Sequence, residues 1–242
     1  IFLTAARLWD ARTGFWAAAG YTLAPGVGVS ALIVSTDPVM MVGWALALYA
    51  MVRAGEEGAP RWWWAVVGLG VGLGALAKYT ALGFAAGGLA YGLLSARGRD
   101  WTGTGIAAGV ALVVLLPNLL WNAAQGWPTI VHVAEDADPG RGYANPLALA
   151  EFLGAQLGVI GPVFFVAILG AAVTLPAWRA DHGMRLMAWQ TAGVLLPITV
   201  LAFVTRAQPN WAAPAYVAGS ILAARWLLER DARRALLWGQ LG

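Results

Sequence analysis

Residues 62–82 read WWWAVVGLGVGLGALAKYTAL, and the sequence carries no charge other than Lys78 from Trp62 to residue 96. One straight helix over this stretch would be about 50 Å long, whereas a hydrocarbon core is about 30 Å thick. The stretch therefore predicts two antiparallel helices that meet near Lys78. Each arm would be only about 24 Å long, which places the Lys78 ammonium group at or below a membrane surface. Non-helical backbone is tolerated at that depth only where it lines a cavity in the protein.

The composition favours a membrane protein over the whole chain of 242 residues. Hydrophobic residues make up 60% and charged residues 11%, although soluble domains carry about a quarter charged residues. The absence of Cys excludes disulfide scaffolds, thiolate zinc sites and cysteine nucleophiles. A net charge of +3 without a long basic run argues against a nucleic acid partner. We expect an all-α polytopic membrane protein whose surroundings are the lipid bilayer.

The positions of Lys and Arg predict a topology. Apolar stretches with at most one charge indicate about eight spans, at 13–35, 38–52, 62–77, 79–95, 102–120, 147–175, 186–204 and 212–228. Basic residues concentrate in alternate connections and in the C-terminal tail, which the positive-inside rule assigns to the cytoplasm. The start of the chain would then also be cytoplasmic, and the connections holding Asp37, Lys78, His132 and Arg206 would face outward. Residues 1–242 would form a single transmembrane domain.

Lys78 and Asp37 are the first candidates for function. A membrane-buried ammonium costs several kcal/mol unless it is paired or hydrated, so Lys78 either binds an anion such as a lipid phosphate or reaches the interface from a helix end. Asp37 stands in the sequence Ser35-Thr36-Asp37-Pro38. This pattern is typical of a helix N-terminus, and it also places a carboxylate where it can orient Lys78, a sugar hydroxyl or a metal. The two interpretations of Asp37 are compatible.

Two further outward segments hold polar candidates. Residues 205–216, TRAQPNWAAPAY, contain Arg206, Asn210, Trp211 and Tyr216, which offer a cation and groups that bind sugars by hydrogen bonding and stacking. For Trp211, an aromatic belt at the membrane interface is an equal alternative. His132 lies near acidic residues that could hold a metal, although a solvated loop is the favoured interpretation of that segment; these acids are Glu135, Asp136 and Asp138.

Five ordered motifs carry a resemblance to a known family. They are STDPVMMVGWALALYAMVR (35–53), WWWAVVGLGVGLGALAKYTAL (62–82), PNLLWNAAQGWPTIVH (117–132), EFLGAQLGVIGPVFF (151–165) and QPNWAAPAY (208–216). Together they resemble the bacterial dolichyl-phosphate-mannose–protein mannosyltransferase-like glycosyltransferases of families 39 and 83, relatives of the aminoarabinose transferase of lipid A modification. The resemblance covers nearly the whole chain and is specific for the superfamily rather than for one substrate.

The resemblance implies a GT-C-type transmembrane helix bundle in the bacterial inner (plasma) membrane. Such enzymes move a sugar from a polyprenyl-phosphate donor to an extracytoplasmic acceptor, which is a glycolipid, lipid A or a protein. The residues that the resemblance carries over are Asp37, Lys78 in its AKYT segment and the PNWAAPAY block. Together with the candidates from the residues themselves, we expect Lys78 and Arg206 to bind the donor phosphate. We expect the substrate to be bound by Asp37, Tyr79, His132, Asn210, Trp211 and Tyr216.

The general base and the cofactors are not assigned by the sequence. In the family the candidate base lies in the first outward loop, after the first helix. We expect the chain to be an N-terminally truncated fragment that lacks this helix and loop, so no base is named. A divalent metal stays open, since relatives differ in metal dependence. Two other functions remain as alternatives: a transporter or flippase of lipid-linked sugars, and a catalytically incomplete fragment of the transferase.

Overall fold

The structure, a computed structural model, describes residues 1–95, 99–131, 144–174 and 181–230, and within these residues it is all-α. The main helices are α1 (Phe2–Leu8), α2 (Ala11–Thr22), α3 (Pro25–Leu32), α4 (Asp37–Ala54), α5 (Trp62–Ala77), α6 (Gly83–Leu94), α7 (Trp101–Ala124), α8 (Pro146–Val159), α9 (Pro162–Val173), α10 (His182–Val204) and α11 (Ala215–Glu229). Short 3₁₀ helices cover Tyr79–Leu82 and Pro209–Ala212.

The break at Lys78 is confirmed. Helix α5 ends at Ala77, and Lys78 adopts an extended backbone with φ −161° and ψ 127° before the 3₁₀ turn that leads into α6. A β-carbon on Gly68 would meet Ala107, and one on Gly72 would meet Ala111 and Val114, so α5 and α7 run in parallel. Helix α6 must therefore return from Lys78 to the end of the bundle where α5 began.

The paired helices define two ends of the bundle. At the Arg61 end, the guanidinium of Arg61 lies 3.4 Å from the carboxylate of Asp100, which precedes α7. At the Lys78 end, Lys78 meets the first turn of α4, because α4 and α5 are antiparallel: Gly43 packs on Gly70 and Gly74. The site candidates can therefore be located relative to these two ends.

Asp100 fixes the beginning of α7 at the Arg61 end. Its carboxylate accepts hydrogen bonds from the backbone N–H of Gly103 at 2.8 Å and from the indole N–H of Trp64 at 3.0 Å. The Gly103 hydrogen bond is the main reason that the pKa of Asp100 lies below its usual value, with the charge of Arg61 contributing further. This stabilisation is present above the unfolded-state pKa and is lost as the pH falls through the lower folded-state pKa.

Two helices are long and apolar enough to cross a membrane, judged by length and composition in the described part of the chain. They are α7, with 24 residues, and α10, with 23 residues. The pair formed by α8 and α9 would add a third span if it were counted as one, and α5 and residues 79–94 form shorter apolar helices. The chain is thus a multi-pass membrane protein, and the eight-span topology with its orientation stays a prediction.

Two of the spans expected from sequence are interrupted. The stretch 13–35 is divided between α2 and α3, because the helix stops after Thr22 and restarts at Pro25. The stretch 147–175 bends by 117° between α8 and α9, at Gly161 with φ 85°, a left-handed conformation that favours glycine. Neither stretch is therefore one continuous helix, and the number of times that each crosses the membrane stays a prediction. The length of an apolar stretch does not show where a glycine or proline within it ends one helix and changes the direction of the chain.

The close packing of α4 on α5 leads to a stability prediction for Gly43. An added β-carbon there would lie 2.6 Å from the carbonyl oxygen of Gly70 and 2.8 Å from the amide nitrogen of Gly74. Both contacts are with backbone, so the helices would have to separate. We expect Gly43→Ala to lower the free energy of unfolding by about 1–3 kcal/mol, measured as a lower midpoint of thermal unfolding in detergent micelles.

Gly109→Ala is the matched control for this prediction. Gly109 lies in α7, and an added β-carbon there meets nothing within 4 Å. Its midpoint should equal or exceed that of the unchanged protein, since Ala has the higher helix propensity. Equal midpoints for the two variants would show that the α4–α5 contact tolerates a methyl group and would contradict the packing described here.

Candidate functional site

A cluster of Lys78, Asp37 and Asn210 lies at the Lys78 end. The ammonium Nζ of Lys78 is 2.7 Å from Oδ1 of Asp37, and the amide Nδ2 of Asn210 donates to Oδ2 of the same carboxylate at 3.1 Å. The Asp37 side chain is 12% exposed and that of Lys78 is 25% exposed. Three distant parts of the chain thus meet at one carboxylate. Lys78, Asp37 and Asn210 were each predicted from sequence to bind phosphate or substrate, and the structure brings the three side chains together.

Local structure explains how each residue reaches the cluster. Asp37 is the first residue of α4, where the helix dipole favours a negative charge. Thr36 occupies the N-cap position and makes no capping hydrogen bond with its side chain. The Asp37 carboxylate binds Lys78 and Asn210, so the site interpretation of Asp37 has a structural basis beyond the helix start. Asn210 is presented by the 3₁₀ turn Pro209–Ala212.

Tyr79 is held by two asparagines of α7. Its hydroxyl donates to Oδ1 of Asn118 at 2.5 Å and accepts from Nδ2 of Asn122 at 3.4 Å. Asn122 is fully buried, and its own Oδ1 accepts the backbone N–H of Thr129 at 3.3 Å. This network fixes the residue next to Lys78 to the end of α7. The Tyr79 hydroxyl already has two partners, so a substrate would share them or contact the ring.

Sequence reasoning did not single out Asn118 and Asn122. They are four residues apart in an otherwise apolar helix, so they project from the same face. Amides inside an apolar helix are expensive unless they are hydrogen-bonded. That spacing was a signal of a buried polar contact, although it does not identify Tyr79 as the partner.

Among the described residues, no hydrogen bond or ion pair joins the side chain of Arg206 or Trp211 to the cluster. Arg206 is exposed, and its guanidinium makes no hydrogen bond or ion pair with another described residue. Trp211 is half-buried against the apolar cluster around Phe164. Both residues are close in sequence to Asn210, so they remain candidates at the edge of the site. His132 lies outside the described residues.

Tyr216 is not brought to the Lys78 cluster. It is 1% exposed, and its hydroxyl donates to Oε1 of Gln156 at 2.7 Å. The residue belongs to α11, which follows the Pro209–Ala212 turn, and its ring faces the core. This position differs from the substrate contact expected from the QPNWAAPAY motif. A role of Tyr216 as a substrate ligand stays a prediction.

The cluster is suited to binding an anion. An ammonium group has three N–H donors, and Asp37 accepts from one of them, so Lys78 can also donate to a bound anion. The Asp37 carboxylate holds the Lys78 ammonium through Oδ1, while its Oδ2 accepts from the side-chain amide of Asn210. Within the described ranges there is no group of three or more His, Asp or Glu residues that could hold a metal ion.

The chain is similar to known proteins in sequence and in fold. Residues 1–121 match the model of the dolichyl-phosphate-mannose-protein mannosyltransferase family. The lipid A galacturonosyltransferase RgtD of Rhizobium johnstonii is 38% identical over 229 residues, which is 93% of this chain and 47% of that protein. The crystal structure of ArnT from Cupriavidus metallidurans bound to undecaprenyl phosphate matches with a TM-score of 0.73 at 18% identity. That match covers 98% of this chain and 45% of ArnT, so the chain spans about half the length of both proteins.

Proposed function

Because the chain belongs to the dolichyl-phosphate-mannose-protein mannosyltransferase family, we propose that it forms part of a membrane glycosyltransferase that uses a polyprenyl-phosphate-linked sugar. The observation that carries the proposal is the ion pair of the Lys78 ammonium with Asp37, whose carboxylate also accepts from Asn210, at one end of an apolar bundle. RgtD is by name a lipid A galacturonosyltransferase, and ArnT was crystallised with undecaprenyl phosphate. The proposed donor is accordingly an undecaprenyl-type phosphate carrying a sugar such as galacturonic acid, and the proposed acceptor is lipid A.

Lys78 has the central role in this proposal. In the transfer, an acceptor hydroxyl oxygen forms a bond to the anomeric carbon of the sugar as the bond from that carbon to the donor phosphate breaks. The electron pair of the broken bond stays on the polyprenyl phosphate, which gains negative charge. A preorganised cation stabilises charge that develops in a partly buried site, and Lys78 would do so here. The base that takes the acceptor proton is not assigned to a residue of this chain.

The other candidates take supporting roles. Asp37 and Asn210 orient the ammonium group, and the exposed Arg206 is the second candidate for the donor phosphate. Trp211 offers an aromatic surface for a sugar ring, while Tyr79 and His132 remain proposed substrate ligands. The Lys78 end would face the outer side of the bacterial plasma membrane. The isoprenoid tail of the donor would lie among the apolar helices.

The test is sugar transfer by the complete protein in proteoliposomes. Purified protein is supplied with an undecaprenyl-phosphate-linked galacturonic acid and lipid A, and the lipid products are identified by mass spectrometry. The proposal expects lipid A that has gained one hexuronosyl group, together with released undecaprenyl phosphate. Movement of the donor across the bilayer without any transfer product would favour the flippase alternative and overturn the proposal.

A further inference from the structure

Helix α8 is attached at two points to the segment 205–212, which presents Asn210 to Asp37. Near the start of α8, the backbone N–H of Asn145 donates to the carbonyl oxygen of Phe203 at 2.5 Å, and its side-chain amide donates to the carbonyl of Thr205 at 3.5 Å. Towards the end of α8, the amide Nε2 of Gln156 donates to the carbonyl oxygen of Pro209 at 3.4 Å. Both attachments lie at the Lys78 end, so α8 lies along the segment 205–212.

Gln156 has a partner for each of its polar atoms. Its Oε1 accepts from the hydroxyl of Tyr216 at 2.7 Å, and its Nε2 donates to the carbonyls of Phe152, at 3.0 Å, and Pro209. The side chain is fully buried. A buried amide is expensive unless its hydrogen bonds are made, and this one makes them to both sides of the Pro209–Ala212 turn. Pro209 precedes the turn residue whose amide binds Asp37, and Tyr216 follows the turn.

We propose that Gln156 is a positioning residue: it holds the Pro209–Ala212 turn so that Asn210 reaches Asp37, and thereby aligns the Lys78 ammonium. The inference rests on the proposed function only for its effect on sugar transfer. It also gives a role to the EFLGAQLGVIGPVFF motif and to Tyr216, neither of which contacts the cluster. The path runs from Gln156 through the carbonyl of Pro209 and the amide of Asn210 to Asp37.

A purely structural role predicts a different behaviour from a positioning role. Gln156→Leu leaves the Tyr216 hydroxyl buried without an acceptor, which destabilises the core whatever happens to the turn. The double variant Gln156→Leu with Tyr216→Phe removes both polar partners, and such paired removal is close to neutral for stability. The carbonyl of Pro209 still lacks its donor in the double variant. The double variant therefore separates the effect of Gln156 on the stability of the protein from its effect on the position of the turn.

The experiment compares thermal unfolding, sugar transfer and one distance in the complete protein. Residues 1–242 contain no Cys, so a cysteine pair at Val39 in α4 and at Gln208 beside the turn can be spin-labelled in a background without other cysteines. Both positions are exposed. The spin–spin distance distribution reports the place of the turn relative to α4, independently of any activity.

Gln156→Leu should broaden the distance distribution and lower transfer by about tenfold, since small misplacements of catalytic groups reduce rates strongly. The double variant with Tyr216→Phe should recover the unfolding midpoint while the distribution stays broad and transfer stays low. In an Asn210→Ala background, Gln156→Leu should cause little further loss of transfer, because both changes interrupt one path.

Recovery of transfer and of a narrow distribution in the double variant would overturn the inference, because Gln156 would then only stabilise the core. If the losses of transfer in Gln156→Leu and in Asn210→Ala multiply when both changes are combined, the inference is also overturned. The two residues would then act independently. A protein that transfers no sugar in any form contradicts the proposed function instead. The distance distribution still decides the inference in that case.

Discussion

Replacing Lys78 by Met is expected to lower the rate of sugar transfer by about 100-fold or more, because loss of one preorganised donor to developing charge commonly costs that much. The Met side chain keeps most of the length and apolar contact of the lysine stem, so the change removes mainly the charge. Lys78 is the cation bonded to Asp37, and its side chain keeps 25% of its surface exposed for a ligand. Transfer is measured under single-turnover conditions in proteoliposomes. The affinity for undecaprenyl phosphate is measured alongside, by titration.

Two control variants sharpen the Lys78 prediction. Lys78→Arg keeps the positive charge and should retain more transfer than Lys78→Met, although the planar guanidinium does not reproduce the geometry of an ammonium group. Arg61→Met removes a cation at the opposite end, where the Arg61 side chain is 60% exposed, and should leave transfer unchanged. Full transfer and unaltered phosphate affinity in Lys78→Met would remove this residue from the proposed mechanism.

Replacing Asp37 by Asn is expected to lower transfer by about tenfold to 100-fold. The variant keeps the shape of the side chain and removes the charge that holds the ammonium group. Lys78 would then lose the opposite charge with which it is paired, and the amide of Asn210 would face another amide in place of a carboxylate. The phosphate affinity should fall less than transfer, because Lys78 is retained and only its orientation is lost.

An exchange of the two partners separates orientation from a direct chemical role of Asp37. The double variant Asp37→Asn with Asn210→Asp returns one carboxylate and one amide to the same cluster. If the carboxylate serves to hold Lys78, the double variant should recover part of the transfer that the single variant loses. A direct role in binding a metal or a sugar at the original position predicts no recovery, and that result would contradict the orienting role.

Some of the candidate site followed from local pattern. The interruption at Lys78 was predictable because the apolar stretch is too long for one crossing and contains a single charge. Asp37 was predictable as a helix start beside Pro38, and Asn210 as a polar residue in an outward turn. The sequence was compatible with a contact between Asp37 and Lys78, but it did not predict that Asn210 binds the same carboxylate. The contact between Asp37 and Asn210 joins residues 173 positions apart, and no local period encodes it.

Other features could not be predicted because several structures satisfy the same sequence pattern. Tyr216 is as polar and aromatic as any sugar-binding residue, yet the direction of its side chain depends on how α11 leaves the turn. The stretch 147–175 is mostly apolar, and the 117° bend lies at Gly161, whose left-handed conformation is not visible in apolar length. Gln156 and Asn122 went unnoticed because a buried amide is recognised by its partners, and those partners lie elsewhere in the chain.

The sequence by itself determined that this chain is an α-helical membrane protein with a broken helix at Lys78. Those features depend on apolar length, charge and helix geometry, each of which is local. Only the tertiary structure decided which polar groups share a site, because hydrogen bonds depend on direction and distance between segments that fold against one another. The ion pair of Lys78 with Asp37, the hydrogen bond from Asn210 and the support from Gln156 belong to this second class.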